Sequence, residues 1–344
     1  MMPGGRGLTP ASGEPAPRVV VFGATGFIGS AVVRLLAGRP VRLRLVARRH
    51  IPLPSDPVAD IETRAVDVTD DGALSGLVED ATAVVHLMRH HDGERSWRFS
   101  DDDPAGDRVT VGTVRDLLDT LAADPPSTPP LCLLAGSVSQ VGVHTRPRLD
   151  GSEVDAPASA YDRQKLTAER ILFEGTRRGL VRGVSLRFPT IFGAPAHGSV
   201  IDHGIVSAMI RRGLAGHPLT LWNNGSVERD LLYVDDAASA VVAALDRPDA
   251  LVGRHWLLGS EECTSLDRIF TRLSEAVAWR TGTSPVPVVG VEPPAHATPP
   301  DFQSYRVDAT AFRRRTGWRP TVPLDQGLER TVSHLIHARA IAEP

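Results

Sequence analysis

The sequence predicts an α/β protein, a doubly wound parallel sheet with a smaller α/β lobe laid over one edge. Three observations predict it. Short apolar runs of strand character alternate with helical stretches, which implies a parallel sheet covered on both faces. The first run ends in a glycine-rich turn that opens a helix. After Gly193 the alternation gives way to irregular, Pro-containing segments.

The elements follow in order. Arg18–Phe22 is a short apolar strand, followed at once by Gly23-Ala24-Thr25-Gly26-Phe27-Ile28-Gly29. A helical pattern continues through Ala31–Leu36 and stops at Gly38-Arg39-Pro40, and a second strand spans Val41–Val46. Strand, glycine turn, helix and strand within about 30 residues make the opening of a Rossmann-type dinucleotide-binding unit. Further strands are expected at Ile61–Val66, Ala83–Met88, Leu131–Leu134 and Val184–Phe188, with helices at Asp107–Ala122 and Ala160–Arg178. Beyond Gly193 the sequence predicts a helix at Ile205–Ala215, a loop at Trp222–Ser226 and a strand-to-helix piece at Leu231–Leu245. A Pro-rich loop at Thr283–Gln303 and a last helix at Leu324–Ala338 complete the chain. Residues 18–193, with 228–258 returning to them, form the expected cofactor domain; 194–227 and 259–344 form the substrate lobe. Residues 1–17 are Gly- and Pro-rich without an apolar core segment, so they are read as a disordered tail and not a signal peptide.

Composition excludes several function classes. The chain has 344 residues, with 38 basic against 41 acidic side chains and a net charge of −3, which argues against a nucleic-acid surface. No apolar run is long enough to span a membrane. Two cysteines, Cys132 and Cys263, are too few for a disulfide framework and read as reduced thiols of a cytoplasmic protein.

The glycine turn carries the first chemistry. Glycine lets a pyrophosphate approach the backbone, and the helix start offers free N–H groups and a positive dipole end. Gly23, Thr25, Gly26, Phe27, Ile28 and Gly29 are the candidate contacts. A ligand-free turn is the bland alternative, and the position between strand and helix argues against it. The second strand ends in Val46-Ala47-Arg48-Arg49, where an NAD site would place an acid for the ribose 2′-hydroxyl. Arg48 and Arg49 suit a 2′-phosphate instead, so NADP(H) is the expected cofactor. Asp67, beside Val68, follows the third strand and is placed to accept from an adenine amino group, or is a solvated turn residue.

Lys165 is the only lysine among the 38 basic residues, and it lies four residues after Tyr161. Codon pressure explains the arginines; a compact ammonium at this spacing is what it left untouched. On a helix, Tyr161 and Lys165 share a face. A nearby ammonium is expected to favour the phenolate and tune Tyr161 for proton transfer. Ser137, ending the Leu131 strand, is a hydroxyl able to bond a substrate carbonyl or alcohol.

This constellation resembles the extended short-chain dehydrogenase/reductases, the NAD-dependent epimerase/dehydratase group that works on nucleotide sugars. The resemblance runs over about Arg18 to His334. It includes Leu186-Arg187-Phe188-Pro189-Thr190-Ile191-Phe192-Gly193, Arg229-Asp230-Leu231-Leu232-Tyr233-Val234-Asp235-Asp236, and Thr316-Gly317-Trp318-Arg319-Pro320 with Gly327-Leu328-Glu329. It implies Tyr161 as general acid/base, Lys165 as its partner and Ser137 as the polarising hydroxyl. It adds Leu87 and Pro189 to the cofactor contacts, and Ser139, Thr190, His90, Trp97 and Arg229 to the substrate contacts, with Arg229 on a diphosphate.

Val41–Arg49, Tyr161–Glu169 and Arg229–Asp236 are most similar to dTDP-4-keto-6-deoxyhexose 4-ketoreductases of bacterial deoxysugar and antibiotic pathways. The resemblance therefore implies NADPH-dependent reduction of a dTDP-linked keto-deoxysugar. A nucleotide-sugar epimerase holding NAD is the alternative, and a non-catalytic NADPH-binding regulator a more distant one. Departures from the family pattern matter too. Val138-Ser139 stands where sugar dehydratases carry an Asp-Glu pair, which argues against dehydration. Val109 and Thr190 replace the usual Asn at two positions, and Val141 a common Tyr. His86, His90, His91 and Asp92 are too close in sequence to make a metal site, and none is expected. Val111, Val114, Leu118 and Leu121 form a core stripe; the resemblance also allows this helix and the Tyr161 helix to pair in a homodimer.

Overall fold

The computed structural model describes residues 8, 15–90, 103–194, 202, 204–294 and 297–342, with 339–342 as backbone only. The chain opens with β1 (Arg18–Phe22), α1 (Phe27–Ala37), β2 (Arg42–Ala47), β3 (Asp60–Ala65) and β4 (Ala83–His86). It continues with α2 (Pro104–Asp107), α3 (Thr113–Ala123), β5 (Leu131–Ser137), β6 (Arg148–Leu149), α4 (Ala160–Arg177), β7 (Arg182–Phe188) and β8 (Thr190–Phe192). Then follow α5 (Ile205–Leu214), β9 (Leu219–Trp222), β10 (Glu228–Tyr233), α6 (Val234–Asp246), β11 (His255–Leu257), β12 (Cys263–Ser265) and α7 (Leu266–Thr281). Last come β13 (Val288–Val291), β14 (Arg306–Val307), α8 (Thr310–Thr316) and α9 (Leu324–Ala342).

Seven strands form the central sheet in the order β11-β7-β5-β4-β1-β2-β3, every pair parallel. Its inner strands are apolar without alternation because helices cover both faces: Val19, Val20 and Val21 are all fully buried. β3, at the edge, is the polar run Asp60–Ala65, as a solvent-facing edge requires. The order reverses direction between β1 and β4, and ligands of such sheets bind in the crevice outside the carboxyl ends at that point. β4 ends there in His86 and β5 in Ser137.

Three small sheets lie outside the main one. β8, β10 and β12 form one, β9 and β13 another, β6 and β14 a third. The β9–β13 pair corrects the expected loop at Thr283–Gln303. Val288–Val291 pairs in parallel with Leu219–Trp222, a partner 69 residues away in register Val288↔Leu219, which local composition does not reveal. The helical stretch expected over Asp107–Ala122 is present, starting at Pro104 and containing one turn of different winding. A π-turn at Arg108–Gly112 separates α2 from α3, with the Thr113 hydroxyl donating to the Val109 carbonyl at 2.6 Å. Of residues 1–17, the structure describes Leu8 and 15–17. Leu8 is buried in the core, and Arg42 donates from its backbone to the Pro17 carbonyl and from its side chain to that of Ala16. No described helix is long and apolar enough to cross a membrane.

Candidate active site

The glycine turn sits at the carboxyl end of β1. Gly23 has φ +82°, a conformation that favours glycine, and its carbonyl accepts from the Gly26 N–H at 2.9 Å. A Cβ on Gly29 would lie 2.0 Å from the Gly23 carbonyl oxygen, so the third glycine lets α1 start directly against the turn. No side chain caps α1 and no acid lies in its first turn, leaving its N–H groups and dipole end to an anion. Leu87 lies across the turn, its carbonyl carbon 3.2 Å from a Cβ built on Gly23. This cradle fits a pyrophosphate.

Arg48 and Arg49 are exposed just past β2. Asp67 is held by Thr69, whose N–H and hydroxyl both donate to Oδ1, at 3.0 and 2.6 Å. Those bonds, with help from Arg48, hold its carboxyl below the usual range. Val68 beside it is buried.

The catalytic candidates converge on α4. Ser159 is its N-cap, accepting from the Asp162 N–H at 3.1 Å. Tyr161 and Lys165 follow one turn apart, the Lys165 Nζ 5.8 Å from the Tyr161 ring centre. Lys165 is 2% exposed, and among the described residues its Nζ donates to the Met88 carbonyl at 3.4 Å. An ammonium with donors to spare, buried at the carboxyl end of β4, fits ribose hydroxyls. Burial, reinforced by Arg89, pulls Lys165 down to about 7.

Tyr161 corrects an expectation. Its pKa is raised, because desolvation of the hydroxyl outweighs the lowering by Arg89 and by a hydrogen bond with Ser137. Its leading cationic neighbour is Arg89. Tyr161 is therefore a protonated donor at neutral pH.

Residues 19–259 match the NAD dependent epimerase/dehydratase family. The chain belongs to this family. It is 29% identical over 209 residues to D-erythronate dehydrogenase of Cupriavidus necator, covering 58% of this chain and 62% of that enzyme. It is 23% identical over 350 residues to dTDP-L-rhamnose 4-epimerase of Burkholderia thailandensis, covering 90% and 93%. In fold it is similar to UDP-glucuronic acid 4-epimerase from Bacillus cereus in complex with NAD, with a TM-score of 0.75 at 20% identity over 93% of this chain and 99% of that one.

Other family positions are arranged as follows. Thr190 opens β8, opposite Leu231, directly after the buried Pro189. The Arg229 guanidinium donates to the carbonyls of Glu228, Gln303 and Asp301 at 2.9, 2.7 and 2.6 Å and lies 5.4 Å from the Tyr305 ring centre. It thus braces the 299–303 turn as well as facing the lobe. His90 ends the described segment after β4; Trp97, with His91 and Asp92, lies outside the described residues.

Two features were invisible in the sequence. A buried ionic cluster stands behind Ser137. The Gln140 side chain accepts from the Ser137 N–H at 2.7 Å and donates to Glu169 at 3.4 Å. Arg187, 1% exposed, reaches Glu169 at 2.6 and 3.0 Å and Asp155 at 2.6 and 2.7 Å. The glutamate at i+4 from Lys165 was the only signal. The second feature is Asp162. Sequence showed no acid beside Ser137, yet Asp162 is buried and accepts from both the Ser139 and Ser159 hydroxyls, the latter at 2.6 Å.

Proposed function

We propose that this chain reduces a keto group, most specifically C4, of a dTDP-linked keto-deoxyhexose with NADPH. The observation that carries the reading is the protonated Tyr161 paired with Ser137 at the carboxyl end of the sheet, beside a second strand that ends in Arg48 and Arg49 rather than in an acid. The nicotinamide would supply the hydride. Tyr161 gives its proton to the oxygen that becomes the alcohol, and Ser137 orients that carbonyl. Lys165 holds ribose hydroxyls and keeps the cofactor beside Tyr161. Gly23, Gly26 and Gly29 seat the pyrophosphate, Asp67 the adenine, and Arg48 and Arg49 the 2′-phosphate. Thr190, Ser139 and Arg229 lie on the sugar-nucleotide side. Dehydration is disfavoured because Val138-Ser139 stands where sugar dehydratases carry an Asp-Glu pair.

A second reading is favoured by the relatives. The Burkholderia enzyme is named a 4-epimerase, and the Bacillus 4-epimerase was solved with NAD. An epimerase returns the hydride to the same sugar and keeps its cofactor. The deciding experiment reads the cofactor of the purified protein and then follows NADPH oxidation with a panel of dTDP-keto-deoxysugars. Turnover with loosely held NADPH supports the reductase. Tightly retained NAD with no net NADPH oxidation supports the epimerase and overturns it.

A further inference from the structure

Asp162 is a buried carboxylate one residue past Tyr161, and helix capping accounts for only half of it. Its Oδ2 accepts from the N-cap hydroxyl of Ser159 at 2.6 Å. Its Oδ1 faces the other way and accepts from the Ser139 hydroxyl. Ser139 in turn lies 2.6 Å, oxygen to oxygen, from Ser137, and Ser137 is the hydroxyl neighbour that acts on the Tyr161 phenol. One hydroxyl chain therefore joins Asp162 to Tyr161 through two serines that are two residues apart on the turn after β5.

Hydrogen counting gives this chain a direction. Each serine has one hydroxyl hydrogen. Facing ionised Asp162, Ser139 donates to the carboxylate, so Ser137 must donate to Ser139. Ser137 then has no hydrogen left for a substrate carbonyl and can only accept from the Tyr161 hydroxyl, so orienting that carbonyl needs the reversed order. With Asp162 protonated the order reverses: the carboxyl donates to Ser139, Ser139 to Ser137, and the Ser137 hydrogen turns towards the site. We propose that Asp162 is a positioning residue that sets, through Ser139, which way the Ser137 hydroxyl points and so how firmly Tyr161 holds its proton. The inference rests on the reading of Tyr161 as the proton donor.

The surroundings of Asp162 suit a group that can change state. Burial raises its pKa, while the hydrogen bonds from Ser139 and Ser159 and the charge of Arg163 lower it. The other titratable groups coupled to it are Tyr161 on α4 and Tyr305 from the substrate lobe.

The test needs no substrate. The chain has three tyrosines, so the tyrosinate absorbance of the free protein, minus that of Tyr161→Phe, isolates Tyr161. Ser139→Ala removes the link and no charge. It frees Ser137 to donate to the phenolate, so Tyr161 should titrate at lower pH; Ser139→Thr keeps the hydroxyl and should match the wild type. Asp162→Asn should also lower the titration. A folded Ser139→Ala protein whose Tyr161 titrates unchanged or higher overturns the proposal. If that variant does not fold, an unmoved Tyr161 in Asp162→Asn overturns it equally. Failure of the whole sugar panel would remove the proposed substrate and leave the titration result standing.

Discussion

Lys165 Nζ lies 5.8 Å from the centre of the Tyr161 ring and donates to the Met88 carbonyl at 3.4 Å, in a position only 2% exposed. A lone lysine is thus held by one helical turn against the Tyr161 ring, and by the Met88 carbonyl against the segment after β4.

Its titration has a consequence for stability. Folded Lys165 is pulled down to about 7 from an ordinary 10.5. Between those values the unfolded chain binds a proton that the folded chain does not, so stability rises with pH across the window and is lost as pH falls towards 7. Lys165→Met removes that slope. The thermal advantage of the variant over wild type should be largest near pH 7 and shrink towards pH 10. A difference that stays constant would show that Lys165 does not titrate in this range. Lys165→Arg keeps the charge but not the shape, and full activity in that variant would deny the ammonium a specific role.

Tyr161→Phe removes the proposed proton donor with little change in packing. We expect kcat to fall about 10²-fold or more while cofactor affinity, measured by fluorescence titration, persists. Near-normal turnover would exclude Tyr161 as the acid.

The ionic cluster behind Ser137 should be costly to break. Arg187 is 1% exposed and joins Glu169 and Asp155, so Arg187→Met leaves two carboxylates without their cation. Removing one partner of a buried pair costs about 3–5 kcal/mol. Urea unfolding measures this directly, and a loss within the range of a surface pair would show that the cluster is solvated.

Gly29→Ala tests the cofactor cradle. Its Cβ would stand 2.0 Å from the Gly23 carbonyl oxygen, a contact only a shift of the turn can relieve. Both thermal stability and nicotinamide-cofactor binding should drop. Gly38→Ala, at the far end of α1 with its nearest neighbour at 3.8 Å, is the matched control and should leave both intact.

Replacing Arg48 and Arg49 together by Ala should weaken NADPH by roughly 10–100-fold and leave NADH little changed, as loss of charge-assisted bonds to one phosphate predicts. Equal effects on both cofactors would remove the 2′-phosphate assignment.

Much of the fold was legible. The parallel sheet shows in the unbroken apolar runs such as Val19–Val21, and the cradle in glycines spaced three apart on a strand-to-helix turn. Tyr161 and Lys165 were found because a helix makes i and i+4 neighbours, which is a local rule. The β9–β13 pair was hidden because its partners share no local pattern, and the π-turn at Arg108–Gly112 because its surrounding helical periodicity is intact.

By itself the sequence determined which side chains lie at the end of a strand or on one face of a helix, since periodicity and turn chemistry act over a few residues. Only the tertiary structure decided their protonation and partners. Tyr161 is raised and Lys165 lowered by burial, Asp162 meets Ser139 across 23 residues, and Arg187 meets Asp155 across 32. Desolvation and long-range ion pairing depend on what packs around a group, and no stretch of chain carries that information alone.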